Sequence, residues 1–218
     1  QFTENAAHEL RTPLSLMQIQ LDLYNSGKHP GNDADTIQTI KMVTEQNERL
    51  SKMVKTLLDM SELQTVGRDE TIVVNALVDE VLADLGPLAQ EKNIKLIGKC
   101  KDVNMVGSDI LIYRLVYNLV ENAIKYNHSG GQVIVEAYQK EKQVYLSVED
   151  TGSGITEELK ERVFEPFFRV DKSRSRELGG VGLGLALVNE IVRVHDGSIA
   201  IRPNPSGGTI IEVQFAVN

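Results

Sequence analysis

The chain has 218 residues, enough for one large domain or two small ones. Its 23 basic and 31 acidic side chains leave a net charge of −8, which argues against a nucleic-acid partner, because a phosphate backbone needs a basic footprint. A single cysteine, Cys100, rules out an internal disulfide and suits a reducing, cytoplasmic compartment, and no apolar run approaches the roughly 18 residues of a membrane span.

Gln1 opens directly into a helical pattern without an initiator methionine, so the chain reads as a piece of a longer protein. Residues 2–61 read as two helices. In the first, Leu10, Leu14, Met17, Leu21 and Tyr24 step by four and three. The turn formers NSGKHPGND follow. In the second, Ile40, Val43, Asn47, Leu50, Val54 and Leu57 alternate three and four, a period of 3.5 that marks the seam of a coiled coil or bundle. Two helices on a short loop predict an antiparallel hairpin. A lone hairpin leaves its seam half covered, and each exposed Leu or Ile forgoes roughly 1.5–3 kcal/mol of burial. A second copy removes that deficit by closing a homodimeric four-helix bundle. Asn47 suits a register-setting seam residue, and a solvated site near the bundle surface fits it nearly as well.

ELQTVGRDET, residues 62–71, breaks the pattern and reads as a linker. Beyond it helices and strands mix. The patterns predict a helix over 75–92 interrupted at Gly86-Pro87, a strand over 94–99 and a strong helix over 108–126. A hairpin of strands 132–138 and 143–150 follows, then a helix over 184–195 ended by Gly197, and closing strands 198–202 and 209–217. Strands outside βαβ alternation predict an antiparallel or mixed sheet with helices on one face. The expected architecture is therefore α+β: a helical hairpin over 1–64 and an α/β domain over 70–218.

AAHELRTPL, residues 6–14, places an imidazole beside a carboxylate and a proline one turn later. A zinc protease motif needs a second histidine four residues on, and Thr12 stands there instead. His8 falls between seam positions and should point outward. A neutral imidazole there is a nucleophile, Glu9 can curl back to take its proton, and Thr12 lies one turn on over the same face. Pro13 lacks the N–H that would bond the Glu9 carbonyl, which favours a kink. On these nine residues alone, a merely solvated surface patch explains the pattern better than a reactive group does.

The helix over 108–126 collects Arg114, Asn118, Glu121, Asn122 and Lys125 on one face, opposite apolar Ile112, Val116, Leu119 and Ala123. Amide oxygens are hard ligands that suit Mg²⁺, and Lys125 can neutralise phosphate. In QVYLSVED, Val144, Leu146 and Val148 share a side with Asp150, which sets that carboxylate at the edge of a buried face. Gly152 and Gly154 follow, free for unusual dihedrals and for close approach of a flat ligand. Such a carboxylate can accept from an exocyclic amine such as that of adenine. Gly180, Gly182 and Gly184 lead into a helix whose N–H groups can hold phosphates, but the spacing is neither a dinucleotide fingerprint nor a P-loop. Between the glycine sites, FEPFFRVDKSRSRELGG reads as a mobile lid. Phe164, Phe167 and Phe168 would anchor it, at least two of them by core packing, and Arg169 is a candidate phosphate contact.

In this order the segments resemble the sensor histidine kinases of two-component systems across essentially the whole chain. FTENAAHELRTPL is similar to that family's phosphoacceptor box and LVYNLVENAIKYN to its asparagine box. DTGSGI and GGVGLGL are similar to its glycine boxes, FEPFFR to its phenylalanine box, and GGT at 207–209 to its last small box. Ala7 and Val181 stand where serine and threonine are frequent. The resemblance implies a dimerisation and phosphotransfer hairpin followed by an ATP-binding domain of the GHKL type, an α/β sandwich. It implies His8 as the phosphorylated residue, Glu9 as its activator and Thr12 as a water-positioning residue for phosphatase activity. Asn122 would ligate Mg²⁺, supported by Asn118 and Glu121. Lys125 and Arg169 would contact phosphates, Tyr126 would pack on adenine or ribose, and Asp150 would bind the adenine amine. Gly152, Gly154, Gly180, Gly182, Leu183, Gly184 and Thr209 would shape pocket and lid. The cofactors implied are ATP and Mg²⁺, and the partners a second copy and a response regulator. The parent protein is expected to be anchored in a membrane upstream, with this portion cytoplasmic. A GHKL ATPase with water as acceptor and a nucleotide-binding scaffold share parts of this pattern.

Overall fold

A computed structural model describes residues 2–25, 33–170 and 181–217. Helices α1 (Phe2–Asn25) and α2 (Asp33–Glu62) pack against each other, and Arg49 late in α2 reaches Glu9 early in α1, so the pair is antiparallel. α1 continues through Pro13. Half of the expected seam stays uncovered: Leu14, Leu21, Tyr24, Ile40 and Val54 are exposed, Ile40 by 60 %. A two-helix hairpin can bury only one stripe of each helix, so the second stripe faces outward. Asn47 is exposed with it.

The linker is tied down rather than free. Leu63 is buried in the main core, and the Arg68 guanidinium donates to the carbonyls of Leu63 at 3.2 Å and Val66 at 3.4 Å. Its last residues enter β1 (Glu70–Val73), which pairs antiparallel with β3 (Asn104–Gly107). Neither strand was expected, since four residues are too few for alternation to stand out. α3 (Val74–Glu91) runs unbroken through Pro87, a correction to the predicted interruption. Pro87 removes one N–H, and Gly86 before it has open space where a Cβ would sit. The buried stripe Val74, Leu77, Val78, Val81, Leu85 and Ala89 holds the helix across that gap.

The main sheet has five strands in the order β2-β4-β5-β7-β6. β2 (Lys95–Cys100) runs parallel to β4 (Gln132–Lys140), with α4 (Asp109–Lys125) on the crossover. β5 (Gln143–Asp150), β7 (Thr209–Ala216) and β6 (Ser198–Pro203) pair antiparallel, so the sheet is mixed, as expected. Val135, Ala137, Val144, Leu146, Val148, Val213 and Phe215 form its inner face against α3, α4 and α5 (Gly184–Val194). At the end of α5 the left-handed residue is Asp196, at φ 51°, not Gly197. Gly197 is needed for clearance, because a Cβ there would lie 2.7 Å from the carbonyl oxygen of Gln214. The three phenylalanines also depart from expectation. All are half-buried, and Val163 is the residue of that segment that reaches the interior. Phe168 lies under Arg162, whose guanidinium carbon is 4.4 Å from the ring centre.

Candidate nucleotide and phosphoacceptor site

Asp150 ends β5 at the rim of the core, where alternation along the strand puts it in line with Val144, Leu146 and Val148. Its Oδ1 accepts the Gly152 N–H at 2.7 Å and the Thr209 N–H at 3.3 Å. Burial pushes its carboxyl above the usual aspartate range, and those two N–H groups oppose the shift. Both donors use the same oxygen. Among the described residues none donates to Oδ2, which is left to accept from a ligand.

The C-terminal end of α4 closes over this loop. The Tyr126 carbonyl accepts the Ser153 N–H at 3.2 Å, and a Cβ on Gly152 would come within 2.4 Å of that carbonyl. Gly152 thus serves close approach, while Gly154 takes the positive φ of 74°. Two turns back on α4, Asn118 Nδ2 donates to the Arg114 carbonyl at 2.7 Å, and among the described residues none donates to its Oδ1, an acceptor left open. A Cβ on Gly184, the first residue of α5, would lie 2.9 Å from that Oδ1 and 3.6 Å from Asn122 Nδ2. The two asparagines and the α5 N-terminus therefore share one small volume. Among the described residues no group of three or more His, Cys, Asp or Glu could hold a metal alone. A hard cation here would be held by amide oxygen together with phosphate oxygens, the usual arrangement for Mg²⁺.

The phenylalanine segment and the second glycine segment are locked together. The Phe167 N–H donates to the Gly182 carbonyl at 2.7 Å, and Gly182 sits at φ 78° with the Phe168 carbonyl 2.7 Å from where a Cβ would be. Both segments face the hairpin. Val181 and Leu183 are buried with Met53, and Leu10, Leu57, Met60 and Phe167 pack around them.

Charged side chains frame that apolar contact. Glu9 is held by Arg169, whose side chain is 6 % exposed, and by Arg49 at 3.5 Å. Lys52 of α2 bonds Glu121 at 2.8 Å, Lys125 bonds the same carboxylate at 2.9 Å, and Arg114 bonds Asp59 of α2 at 2.9 Å. Burial would raise the Glu121 pKa, but the Lys125 and Lys52 charges outweigh it and hold the carboxyl below its ordinary range. His8 is exposed, and the Thr12 hydroxyl donates to its backbone carbonyl at 3.2 Å.

The folded chain thus brings Asp150, Gly152 and Thr209 together, and Asn118, Asn122 and Gly184 beside them, with Tyr126 behind. It brings Glu9 to Arg169 rather than to the His8 ring. Gly180, most of the lid and the hairpin loop over 26–32 lie outside the described residues. Sequence reasoning missed Arg49, Lys52 and Asp59, because charges on a helix face ordinarily read as solvated, and Met53, because it falls outside the heptad seam. It also missed Asn127 and Thr151. The Thr151 hydroxyl donates to Asn127 Oδ1 at 3.1 Å, and Asn127 Nδ2 donates to the Gln132 carbonyl at 3.0 Å, which joins the end of α4 to β4 and β5. A cavity of about 660 Å³ between α3 and β2 contains none of the candidate residues.

Residues 1–66 match the family model of the His Kinase A (phospho-acceptor) domain, and residues 107–218 that of the histidine kinase-, DNA gyrase B- and HSP90-like ATPases. The sensor histidine kinase RppB of Synechocystis sp. is 34% identical over 224 residues, covering 100% of this chain and 49% of RppB. This chain therefore spans about half the length of that relative. The histidine kinase AdeS of Acinetobacter baumannii shares the fold with a TM-score of 0.79 at 25% identity, over 97% of this chain and 98% of that one. ThkA, solved in complex with the response regulator protein TrrA, has a TM-score of 0.78 at 24% identity, over 99% of this chain and 61% of that one, a likeness of fold.

Proposed function

This chain belongs to the sensor histidine kinases of two-component systems, and from that premise we propose that it phosphorylates its own His8 from ATP and passes the phosphoryl group to an aspartate of a response regulator. The observation that carries this reading is the acceptor at the end of β5. Asp150 has Oδ1 committed to two backbone N–H groups and Oδ2 left for the adenine amine, next to the asparagine pair against Gly184.

In this reading residues 1–64 form the dimerisation and phosphotransfer part and 70–218 the catalytic part. The exposed seam of Leu14, Leu21, Tyr24, Ile40 and Val54 supports a homodimer. Asn122, assisted by Asn118, would hold Mg²⁺, whose chemistry is to neutralise charge on the β- and γ-phosphates. Lys125 and Arg169 would steady the phosphates, Tyr126 the base or ribose, and the segment from Gly180 through Leu183 to Gly184 the lid side of the pocket. Thr12 is assigned to positioning the water that hydrolyses the regulator's phosphoaspartate, the phosphatase activity. ThkA supports a regulator docking on this fold, since that protein was solved holding one.

Neutral His8 attacks the γ-phosphorus through Nε2, the bond to the β–γ bridging oxygen breaks, and ADP leaves with that electron pair. The ring is then left cationic, and Glu9 takes the Nδ1 proton. In the arrangement described above Glu9 is paired with Arg169 and Arg49. Release of that pairing therefore precedes transfer and also frees Arg169 for the phosphates. The chain as described is a resting arrangement, and positioning supplies most of the catalysis once it opens.

The test is incubation with γ-labelled ATP and Mg²⁺. Acid-labile, base-stable label on the protein, lost in His8→Gln, is the expected result. Free phosphate without labelled protein would instead make the chain a GHKL-type ATPase, and binding without turnover a nucleotide-dependent scaffold.

A further inference from the structure

The β6–β7 turn carries a buried polar side chain outside the proposed nucleotide-contacting set. Asn204 is only 6 % exposed, and every polar group it has is used. Its N–H donates to the Gly208 carbonyl at 3.2 Å, and its carbonyl accepts the Gly207 N–H at 2.9 Å. Its Oδ1 accepts the Ser206 N–H at 2.9 Å, and its Nδ2 donates to the backbone carbonyl of Asp150 at 2.7 Å. We propose that Asn204 is a positioning residue for purine selectivity, fixing the end of β5 so that the Asp150 carboxylate keeps one oxygen on the backbone N–H groups and the other turned toward the base. The inference rests on Asp150 being the adenine acceptor.

The geometry of the sheet explains why the contact is unusual. β7 lies between β5 and β6, so Asn204, one residue beyond β6, reaches across the start of β7 to a strand it does not pair with. The reach exists because residue 208 is glycine. A Cβ there would lie 2.2 Å from the Asp150 carbonyl oxygen and 2.6 Å from its Oδ1. The Asp150 residue is thus gripped at two points. Asn204 holds its carbonyl, and the Gly152 and Thr209 N–H groups hold Oδ1. The carboxylate is anchored to the Gly152 N–H, two residues on, across the 150–151 peptide whose carbonyl Asn204 pins, so the direction of its outward oxygen depends on that peptide. Removal of its donor leaves the carboxylate in place but lets that peptide and the carboxylate turn.

The consequence is chemical and not merely structural. Adenine presents an amine donor to Oδ2, whereas hypoxanthine presents a carbonyl, which a carboxylate repels. A positioning role therefore changes the preference between the two bases. A purely structural role weakens both equally.

The experiment is calorimetric titration of the whole chain with Mg·ADP and with Mg·IDP, for the unaltered protein, Asn204→Asp, Asn204→Ala and Asp150→Asn. Each protein is checked for a cooperative melt. Asn204→Asp and Asn204→Ala are expected to lose about tenfold in ADP affinity, the worth of one well-made hydrogen bond, with IDP affinity changed by less than about twofold. Equal losses for both nucleotides, or an unchanged ADP:IDP ratio in the folded variants, overturns the proposal. Asp150→Asn separates the two levels. If it keeps the full preference for ADP, the adenine reading of Asp150 fails and this inference with it. If it abolishes the preference while both Asn204 variants retain it, only the role of Asn204 fails.

Discussion

The nucleotide end and the hairpin contact of this chain are held by different physics. Around Asp150 the partners are mainly backbone groups, the Gly152 and Thr209 N–H and the Tyr126 carbonyl, with the buried Asn204 amide and with glycines at 152 and 208 where a Cβ would overlap the main chain. Such a site has few alternative arrangements. Around Glu9 and Glu121 the partners are long charged side chains from other elements, surrounding a small apolar contact of Met53, Val181 and Leu183. Where one member of such a pair is solvent-exposed, as Lys52 is at 47 %, the pair contributes only about 0–1 kcal/mol and exchanges partners readily. The first region is built to wait in place for a ligand and the second to come apart.

The sharpest way to break that contrast is to put a side chain on the rigid side. Gly208→Ala combines a φ of 90° with a Cβ 2.2 Å from the Asp150 carbonyl. It should cost about 3 kcal/mol, seen as a loss of roughly a hundredfold or more in ADP affinity by calorimetry. On the exchangeable side, Met53→Ala empties the centre of a contact in which that residue is fully buried. It should release the two halves without unfolding either, and amide exchange should rise along α2 near residue 53 and at Val181–Leu183 while Thr209 stays protected. An effect of about 2 kcal/mol on that local opening is expected.

Acid should act on the core histidine His195 and on Asp150 at different pH. His195 accepts the Ser108 N–H on Nε2 at 3.1 Å and bonds the Ile191 carbonyl through Nδ1 at 2.8 Å, which requires the neutral ring. Burial depresses its pKa, with the nearby Arg68 charge acting the same way and Asp196 opposing it. The unfolded chain therefore binds a proton first. Stability from this group is full above the ordinary value of about 6.5 and is lost as pH falls from there toward the lowered folded value. Thermal melts between pH 8 and 5 should show that slope, and His195→Gln should flatten it. Asp150 has the opposite displacement, so ADP affinity should weaken at a pH above the ordinary aspartate value of about 3.9. The smallest effect belongs to Lys52→Ala. Its side chain is 47 % exposed and Glu121 keeps Lys125, so a melt should move by no more than about 0.5 kcal/mol.

Much of the rigid region was legible in the sequence, because its logic is local. The alternation in QVYLSVED placed Asp150 and set β5 at the residues it occupies, and the face pattern of α4 grouped Asn118, Glu121 and Asn122. The exchangeable region was not legible. Glu9 and Arg169 are 160 residues apart, and a charge pattern shows that a side chain is charged without showing what it meets. Asn204 was hidden differently: in a run of turn formers its side chain reads as one more turn residue. The strands β1 and β3 escaped through shortness. The unbroken α3 escaped because a local breaker, Gly86-Pro87, was overruled by a buried stripe.

One consequence follows from Leu63. It is 2 % exposed and belongs to the core of the α/β half, although it directly follows the last residue of α2. The pivot for any swing therefore cannot be a slack tether over 63–69. Either the final turn of α2 unwinds or Leu63 leaves the core, and the second route alone costs roughly 1.5–3 kcal/mol. α2, about 45 Å of continuous helix, is thus geared to the sheet like a crank on a shaft with a detent. Rotation at its far end is transmitted without slip until the load exceeds that threshold, and then the joint gives in one step.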